Sequence, residues 1–272
     1  MTRTELFSLI LQRRSFLCVG LDPDLDRLPP HLNGDVLAFN KAIIDATREL
    51  CVAYKPNTAF YEALGLGGMQ ILKETIDYIG DGHLIIADAK RGDIGNTSRH
   101  YARFAFDTLG ADAITVAPYM GRDSVGPFLE YDGKWTILLA LTSNAGSRDF
   151  QHASQDGGPA LFEKIMTTAA GWGSPDNLMF VCGATQAERF GDLRRIAPDH
   201  FFLVPGVGAQ GGDLEAVCRY GLTDQCGLLV NSSRGILYAG HDEHFAAAAR
   251  TAAGRLRDQM AHILARRETF SV

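Results

Sequence analysis

Cysteine is scarce in this chain of 272 residues: there are five, an odd count, and no CxxC pair among them. Cys18, Cys51, Cys182, Cys218 and Cys226 therefore offer neither a disulfide framework nor a cysteine-based metal knuckle. Cys18 and Cys182 sit inside apolar runs, where a small buried hydrophobe is expected, and this usage fits a reducing compartment. Long apolar runs are also missing. The opening stretch MTRTELFSLILQRRSF is short and carries Glu5, so it suits neither a signal peptide nor a membrane span. The Ala-rich stretch 243–267 is interrupted by charges throughout and reads as an amphipathic packing helix. Positive charge is not in excess, with 26 Lys+Arg against 32 Asp+Glu, a formal net charge of −6 and a pI near 5.7. That argues against nucleic acid as a partner, because phosphate backbones are held by clustered basic side chains. One small phosphorylated ligand stays open, since it needs only local backbone N–H groups and an Arg. The expectation is a cytoplasmic protein that engages neither membrane nor nucleic acid.

Hydrophobic residues make up 46% of the chain and charged residues 21%, enough to bury a full core without staples. Short apolar runs recur along it: 16–22 (FLCVGLD), 52–57 (VAYKPN), 84–90 (LIIADAK), 113–118 (AITVAP), 136–142 (TILLALT), 178–184 (LMFVCGA), 201–208 (FFLVPGVG) and 227–233 (GLLVNSS). They are nearly continuous rather than alternating, as parallel strands buried on both faces should be. Helix-period segments lie between them. Residues 36–50 follow a candidate N-cap at Asp35, 97–109 end at Gly110, and 213–220 end at Gly221. About eight β-then-α units predict an α/β fold, a single (β/α)8 TIM barrel spanning 1–272 as one domain. The rival, a doubly wound open sheet, loses its main support because no GxGxxG follows the first run. No Pro/Ser linker or low-complexity tract divides the chain. The widest non-periodic stretch, 143–158 (SNAGSRDFQHASQDGG), reads either as a lid or as a tolerated surface insertion.

A barrel carries its chemistry at the C-terminal ends of its strands. The first run ends in Asp22 and the second carries Lys55. The third ends in Asp88 and Lys90, with Asp93 just beyond, and the fifth runs into Thr142 and Ser143. Asp88 and Lys90 are two apart on a strand and are expected on one face, with Lys55 beside them. A single Asp–Lys pair would read as an ion pair closing the barrel top. Three or four charges converging on strand ends read as a site, because such a cluster is costly unless its members serve one another. A second signal is the glycine-rich stretch 205–212, from Pro205 through Gln210 to Gly212, together with Ser233 and Arg234 after the eighth run. Glycines let the backbone approach a ligand, and barrels commonly bind phosphate after strands seven and eight.

At this point the residues resemble a known family. The segment DAKRGDIGNT, from Asp88 to Thr97, is similar to the Asp-x-Lys-x-x-Asp-Ile-x-x-Thr signature of the orotidine 5'-phosphate decarboxylases. The resemblance extends over most of the chain, through Gly20-Leu21-Asp22, Lys55, Ser143, the 205–212 loop and Arg234. The Leu21–Asp24 opening and the long spacings look like the longer bacterial subgroup. The resemblance implies decarboxylation of orotidine 5'-monophosphate to uridine 5'-monophosphate, with no metal and no organic cofactor. It implies that Lys55, Asp88, Lys90 and Asp93 form an alternating charged array and that Lys90 donates the proton to C6. Asp22 would bind ribose hydroxyls and Ser143 the pyrimidine. Gln210 and Arg234, with backbone N–H groups around Ser233, would hold the phosphate beside Pro205. Asp93 and Thr97 would reach across a homodimer interface into the partner's site.

Two other readings compete. A related barrel that forms an enediolate on a sugar phosphate with Mg²⁺ shares the Asp-x-Lys-x-x-Asp motif, but it needs a second acidic ligand near the end of strand two. Lys55 stands there, and a cation repels Mg²⁺. A non-catalytic phosphate-binding barrel would keep the glycine loop and could lose the charged array, whose members are all present. Neither His31, His83, His100, His152 nor His200 shows ligand or triad spacing, Glu62 carries no assigned role, and Asn57 and Asn231, at strand ends, are candidates to orient their neighbours.

Overall fold

A computed structural model describes residues 1–154, 156–207 and 212–266. Eight parallel strands close into a barrel in chain order. They are β1 (Leu17–Leu21), β2 (Ala53–Pro56), β3 (Leu84–Arg91), β4 (Ala113–Val116), β5 (Trp135–Leu141), β6 (Leu178–Cys182), β7 (Phe202–Pro205) and β8 (Leu228–Ser232). Each falls within or across one of the apolar runs. β8 pairs back onto β1 at Leu17–Val230 and Cys18–Asn231, which removes both sheet edges. β1, β2, β4, β6 and β8 are buried at every position, the physical reason those runs lack alternation.

The helices follow local chemistry. Asp35 caps helix Val36–Thr47, accepting the Ala38 N–H at 2.9 Å. That helix stops three residues short of the expected end at 50, with the Thr47 hydroxyl bonded to its own helix at the Ile43 carbonyl and to Tyr54. The segment expected as helix 97–109 begins earlier, at Gly95, and after Arg103 widens into a π-turn, Phe104–Thr108, closed by the Leu109 N–H on the Phe104 carbonyl at 2.9 Å. Gly110, at φ 79°, is the left-handed residue that ends it. Gly221 has a different reason. It is the last residue of helix Leu214–Gly221, and a Cβ there would lie 2.7 Å from the Phe190 ring. The stretch 143–158 is partly built: it holds a short helix, Ser147–Phe150, and is tied to the end of β5 by Gln151, which bonds both the Thr142 N–H and its hydroxyl at 2.8 Å.

The N-terminal ends of the strands are shut by helix Arg3–Arg13. The Met1 ammonium meets Asp112 at 3.3 Å just before β4, and the Met1 carbonyl accepts from the Trp135 indole at the start of β5. Leu6, Phe7 and Ile10 go into the core beneath. Helix Phe245–Arg266 packs on helix Val36–Thr47 and buries Phe245, Ala249, Ala253, Met260 and Leu264, the apolar face expected of it. No helix among the described residues is long and apolar enough to cross a membrane. With its bottom closed, the barrel has its open mouth at the strand C-termini. Leu6 is fully buried, so Leu6→Ala should lower unfolding stability by about 2–5 kcal/mol in denaturant titration.

Candidate active site

The mouth is organised around one carboxylate. Asp88, near the end of β3, accepts the Lys55 ammonium of β2 on one oxygen at 2.7 Å and the Lys90 ammonium on the other at 2.6 Å. The Thr115 hydroxyl of β4 donates to the second oxygen at 2.9 Å. Asp88 is 7% exposed and Lys55 5%, whereas Lys90 reaches toward solvent. Burial pushes the Asp88 carboxyl upward, but the Lys55 and Lys90 charges outweigh it and hold it well below the usual carboxylate range. Burial likewise pulls the Lys55 ammonium down, and Asp22 and Asp88 on either side more than offset that, so it stays charged at any working pH. Asp22, just after β1, is oriented by the Asn57 N–H at 3.2 Å. The order Asp22, Lys55, Asp88, Lys90 thus alternates in sign.

Simple alternation along a strand does not account for the meeting of Asp88 and Lys90. The β3–β4 ladder runs to Ala87–Ile114 and resumes at Arg91–Val116, so the strand is bulged between them. Lys90 has φ 49°, in the left-handed region. The shared carboxylate and the bulge bring the two side chains together, not the period of two.

Beside this cluster lies a cavity of about 230 Å³ whose lining includes Asp22, Lys55, Asp88, Pro205, Ser233 and Arg234. Its far wall is the end of β7 and β8. Gly206 has φ 96°, and its carbonyl accepts the Gly212 N–H at 3.1 Å, which pinches the glycine loop at its base. A Cβ on Gly212 would come within 2.5 Å of the Ala184 Cβ. Gln210 lies outside the described residues, as do Gly208, Ala209 and Gly211. Ser233 precedes the short helix Arg234–Leu237, and Gly20 makes room for it, since a Cβ there would sit 1.7 Å from the Ser233 hydroxyl oxygen. The Ile236 and Leu237 N–H groups of that helix both donate to the Ser233 carbonyl at 2.9 Å.

Not every expected residue joins this cavity. Ser143 stands between the ends of β5 and β7, its hydroxyl 3.5 Å from the Pro205 carbonyl, and does not line it. Asp93 turns its carboxylate to the Ile94 N–H at 2.7 Å, Thr97 is exposed on helix Gly95–Arg103, and neither lines the cavity of its own chain. Glu62 is paired with Arg91 at the rim. His83 and His200 are packing residues, pushed by burial down to about 4. Thr115, Tyr238 and Arg27 are among the contributors that strand-end position does not reveal. Thr115 is a lone hydroxyl inside an apolar run, which was the available signal. Tyr238 donates to the Asp22 carbonyl at 3.0 Å and accepts the Asp24 N–H at 2.7 Å, and the Arg27 guanidinium lies 3.8 Å over its ring. Those two sit at no strand end, so only the folded chain brings them to the cavity. A larger open groove of about 670 Å³ runs along helix Arg122–Leu129, but none of the charged strand-end residues lines it. Among the described residues, no cluster of three or more His, Cys, Asp or Glu is arranged to hold a metal ion.

Residues 15–250 match the family model described as Orotidine 5'-phosphate decarboxylase / HUMPS family. The orotidine 5'-phosphate decarboxylase of Bacteroides fragilis is 55% identical over 270 residues, covering 97% of this chain and 98% of that one. Among solved structures, the Leishmania donovani OMP decarboxylase superposes with a TM-score of 0.85 at 38% identity, covering 97% of this chain and 99% of that one. The Leishmania donovani UMP synthase gives 0.85 at 41% identity, covering 94% of this chain; this chain spans only 56% of that one.

The depressed Asp88 pKa carries a stability signature. Its stabilisation is complete above the unfolded-state value of about 3.9 and is lost as pH falls toward the folded value below it. Unfolding free energy of the unmodified protein should therefore fall more steeply below about pH 4 than that of Asp88→Asn, as read by urea titrations across the acid range. Parallel slopes would mean the carboxylate is not held ionised by its neighbours.

Proposed function

The chain belongs to the orotidine 5'-phosphate decarboxylase / HUMPS family, and on that premise we propose that it decarboxylates orotidine 5'-monophosphate to uridine 5'-monophosphate in pyrimidine biosynthesis. The described residues form one closed barrel, which we take as a single domain. The observation that carries this reading is the Lys55–Asp88–Lys90 cluster: Lys55 and Asp88 are buried at one side of a cavity whose other side holds Ser233 and Arg234, and the exposed Lys90 side chain reaches Asp88 from outside that lining.

The chemistry demands such an arrangement. When the bond from C6 to the carboxylate breaks, its electron pair stays on C6 and CO₂ departs. No ring carbonyl is placed to take up that pair as an enolate, so the site must stabilise it electrostatically. The Lys90 ammonium does this and then transfers its proton to C6, leaving a neutral amine that regains a proton from water. Asp88 opposes the substrate carboxylate and so disfavours the bound ground state relative to the product-like one. Asp22 takes the ribose hydroxyls and Ser143 the pyrimidine. Arg234, Gln210 and the N–H groups at Ser233 hold the phosphate next to Pro205. An enzyme of this kind must remove a barrier in the upper part of the range of about 8–23 kcal/mol. One lysine cannot supply that, and binding of the remote phosphate contributes by closing the loops over the ring.

No metal or organic cofactor is needed in this scheme. Lys55 occupies the place where an Mg²⁺-dependent enediolate-forming relative would need an acidic ligand, and its ammonium sits 2.7 Å from Asp88. The working unit is a homodimer in which Asp93 and Thr97 complete the partner's array. In support, both stay out of the cavity of their own chain, and Ile94, Tyr119 and Met120 are exposed at the neighbouring strand ends.

Turnover of orotidine 5'-monophosphate, followed by ultraviolet absorbance, should survive excess EDTA and fall by more than about a hundredfold in Lys90→Ala. Loss of activity in EDTA would restore the Mg²⁺-dependent reading, and a Lys90→Ala protein with unmodified turnover would refute the proton donor. Arg234→Ala should lower kcat/KM for the nucleotide far more than for the phosphate-free nucleoside, and equal losses on both would refute a phosphate role. Activity per chain should drop on dilution below the dimer dissociation constant; full activity from monomers would remove Asp93 and Thr97 from the site.

A further inference from the structure

The bulge in β3 needs a cause that keeps it in place. Between the pairs Ala87–Ile114 and Arg91–Val116, β3 has three residues, Asp88, Ala89 and Lys90, where β4 has only Thr115. The surplus leaves the ladder, and Lys90 takes up φ 49°. A lysine there is strained, because its Cβ crowds the following carbonyl, and it persists only where the surroundings over-determine it. The Thr115 hydroxyl supplies that constraint from both sides. It accepts the Lys90 backbone N–H at 2.9 Å and donates to the Asp88 carboxylate at 2.9 Å. One hydroxyl has one proton to give and lone pairs to receive, so both bonds can be made together. Thr115 is 1% exposed, so water does not substitute for it. The bond to Asp88 also turns the carboxylate so that its other oxygen meets Lys55.

We propose that Thr115 is a positioning residue for the reaction: by clamping the bulge between Asp88 and Lys90 it aims the Lys90 ammonium at the reacting carbon. It lies behind the array and does not itself line the cavity. This inference rests on the reading of Lys90 as proton donor. Thr115→Val keeps the β-branched shape and removes the hydroxyl, while Thr115→Ser keeps the hydroxyl.

In Thr115→Val, kcat for orotidine 5'-monophosphate should fall by about tenfold or more with KM within about twofold, because the donor is misaimed while the phosphate end is untouched. Thr115→Ser should recover most of the lost rate. A merely structural threonine would lower the melting temperature without this split between kcat and KM. Unmodified kcat in Thr115→Val, or Thr115→Ser as slow as Thr115→Val, would overturn the proposal. Should the unmodified protein show no turnover, the functional reading fails, and a crystal structure of Thr115→Val then decides the role of Thr115 alone. Lys90 leaving the left-handed region and losing its contact with Asp88 supports the clamp, and an unchanged Lys90 overturns it.

Discussion

A carboxylate that must stay ionised while nearly buried is the constraint from which the rest of this mouth follows. Asp88 cannot be left alone there, since an unpaired buried charge is strongly destabilising. It is met by two ammonium groups and a hydroxyl, each from a different place: β2, the bulge of β3, and β4. Lys55, buried in turn, needs Asp22 on its other side. Removing one member leaves its partner uncompensated, so the cluster holds or fails as a unit. A protein with no chemical use for this arrangement would be more simply served by an apolar plug.

The barrel makes that arrangement possible because parallel strands present their ends at a common level. Neighbouring strands bring side chains from residues 22, 55 and 88 together although they are far apart in the chain. The opposite wall is built by another device, backbone rather than side chain: Gly20 and Gly212 admit close approaches that a Cβ would block. The cavity thus has Asp22, Lys55 and Asp88 on one side and Ser233 and Arg234 on the other. At the far end of the barrel, helix Arg3–Arg13 closes the bottom and leaves one open mouth.

Much of this was legible in the order of residues. The eight apolar runs are long enough and apolar enough to be nothing but buried parallel strands, and Asp22, Lys55 and Asp88 stand where strands end. Pro205, Ser233 and Arg234, also read from strand ends, line the same cavity. Less legible was anything that depends on how a backbone departs from its ideal. The helix after β3 was expected to run regularly from 97 to 109 and instead starts at Gly95 and widens at Phe104, a departure of hydrogen-bond register that leaves little mark on composition. Tyr238 and Arg27 gather at Asp22 from distant segments with no periodic pattern to mark them.

The sequence by itself determined the fold class and the chemical types at the strand ends, because burial on both faces of a parallel strand demands continuous apolar runs and leaves polar residues only where the strands stop. Only the tertiary structure decided how those residues meet. The pairing of Asp88 with Lys90 was anticipated from the period of a regular strand, but it arises from a bulge, and the bulge is held by a threonine on the neighbouring strand. Such a contact joins positions 88, 90 and 115 through space, and a local pattern carries no information about a distance that only closure of the barrel sets.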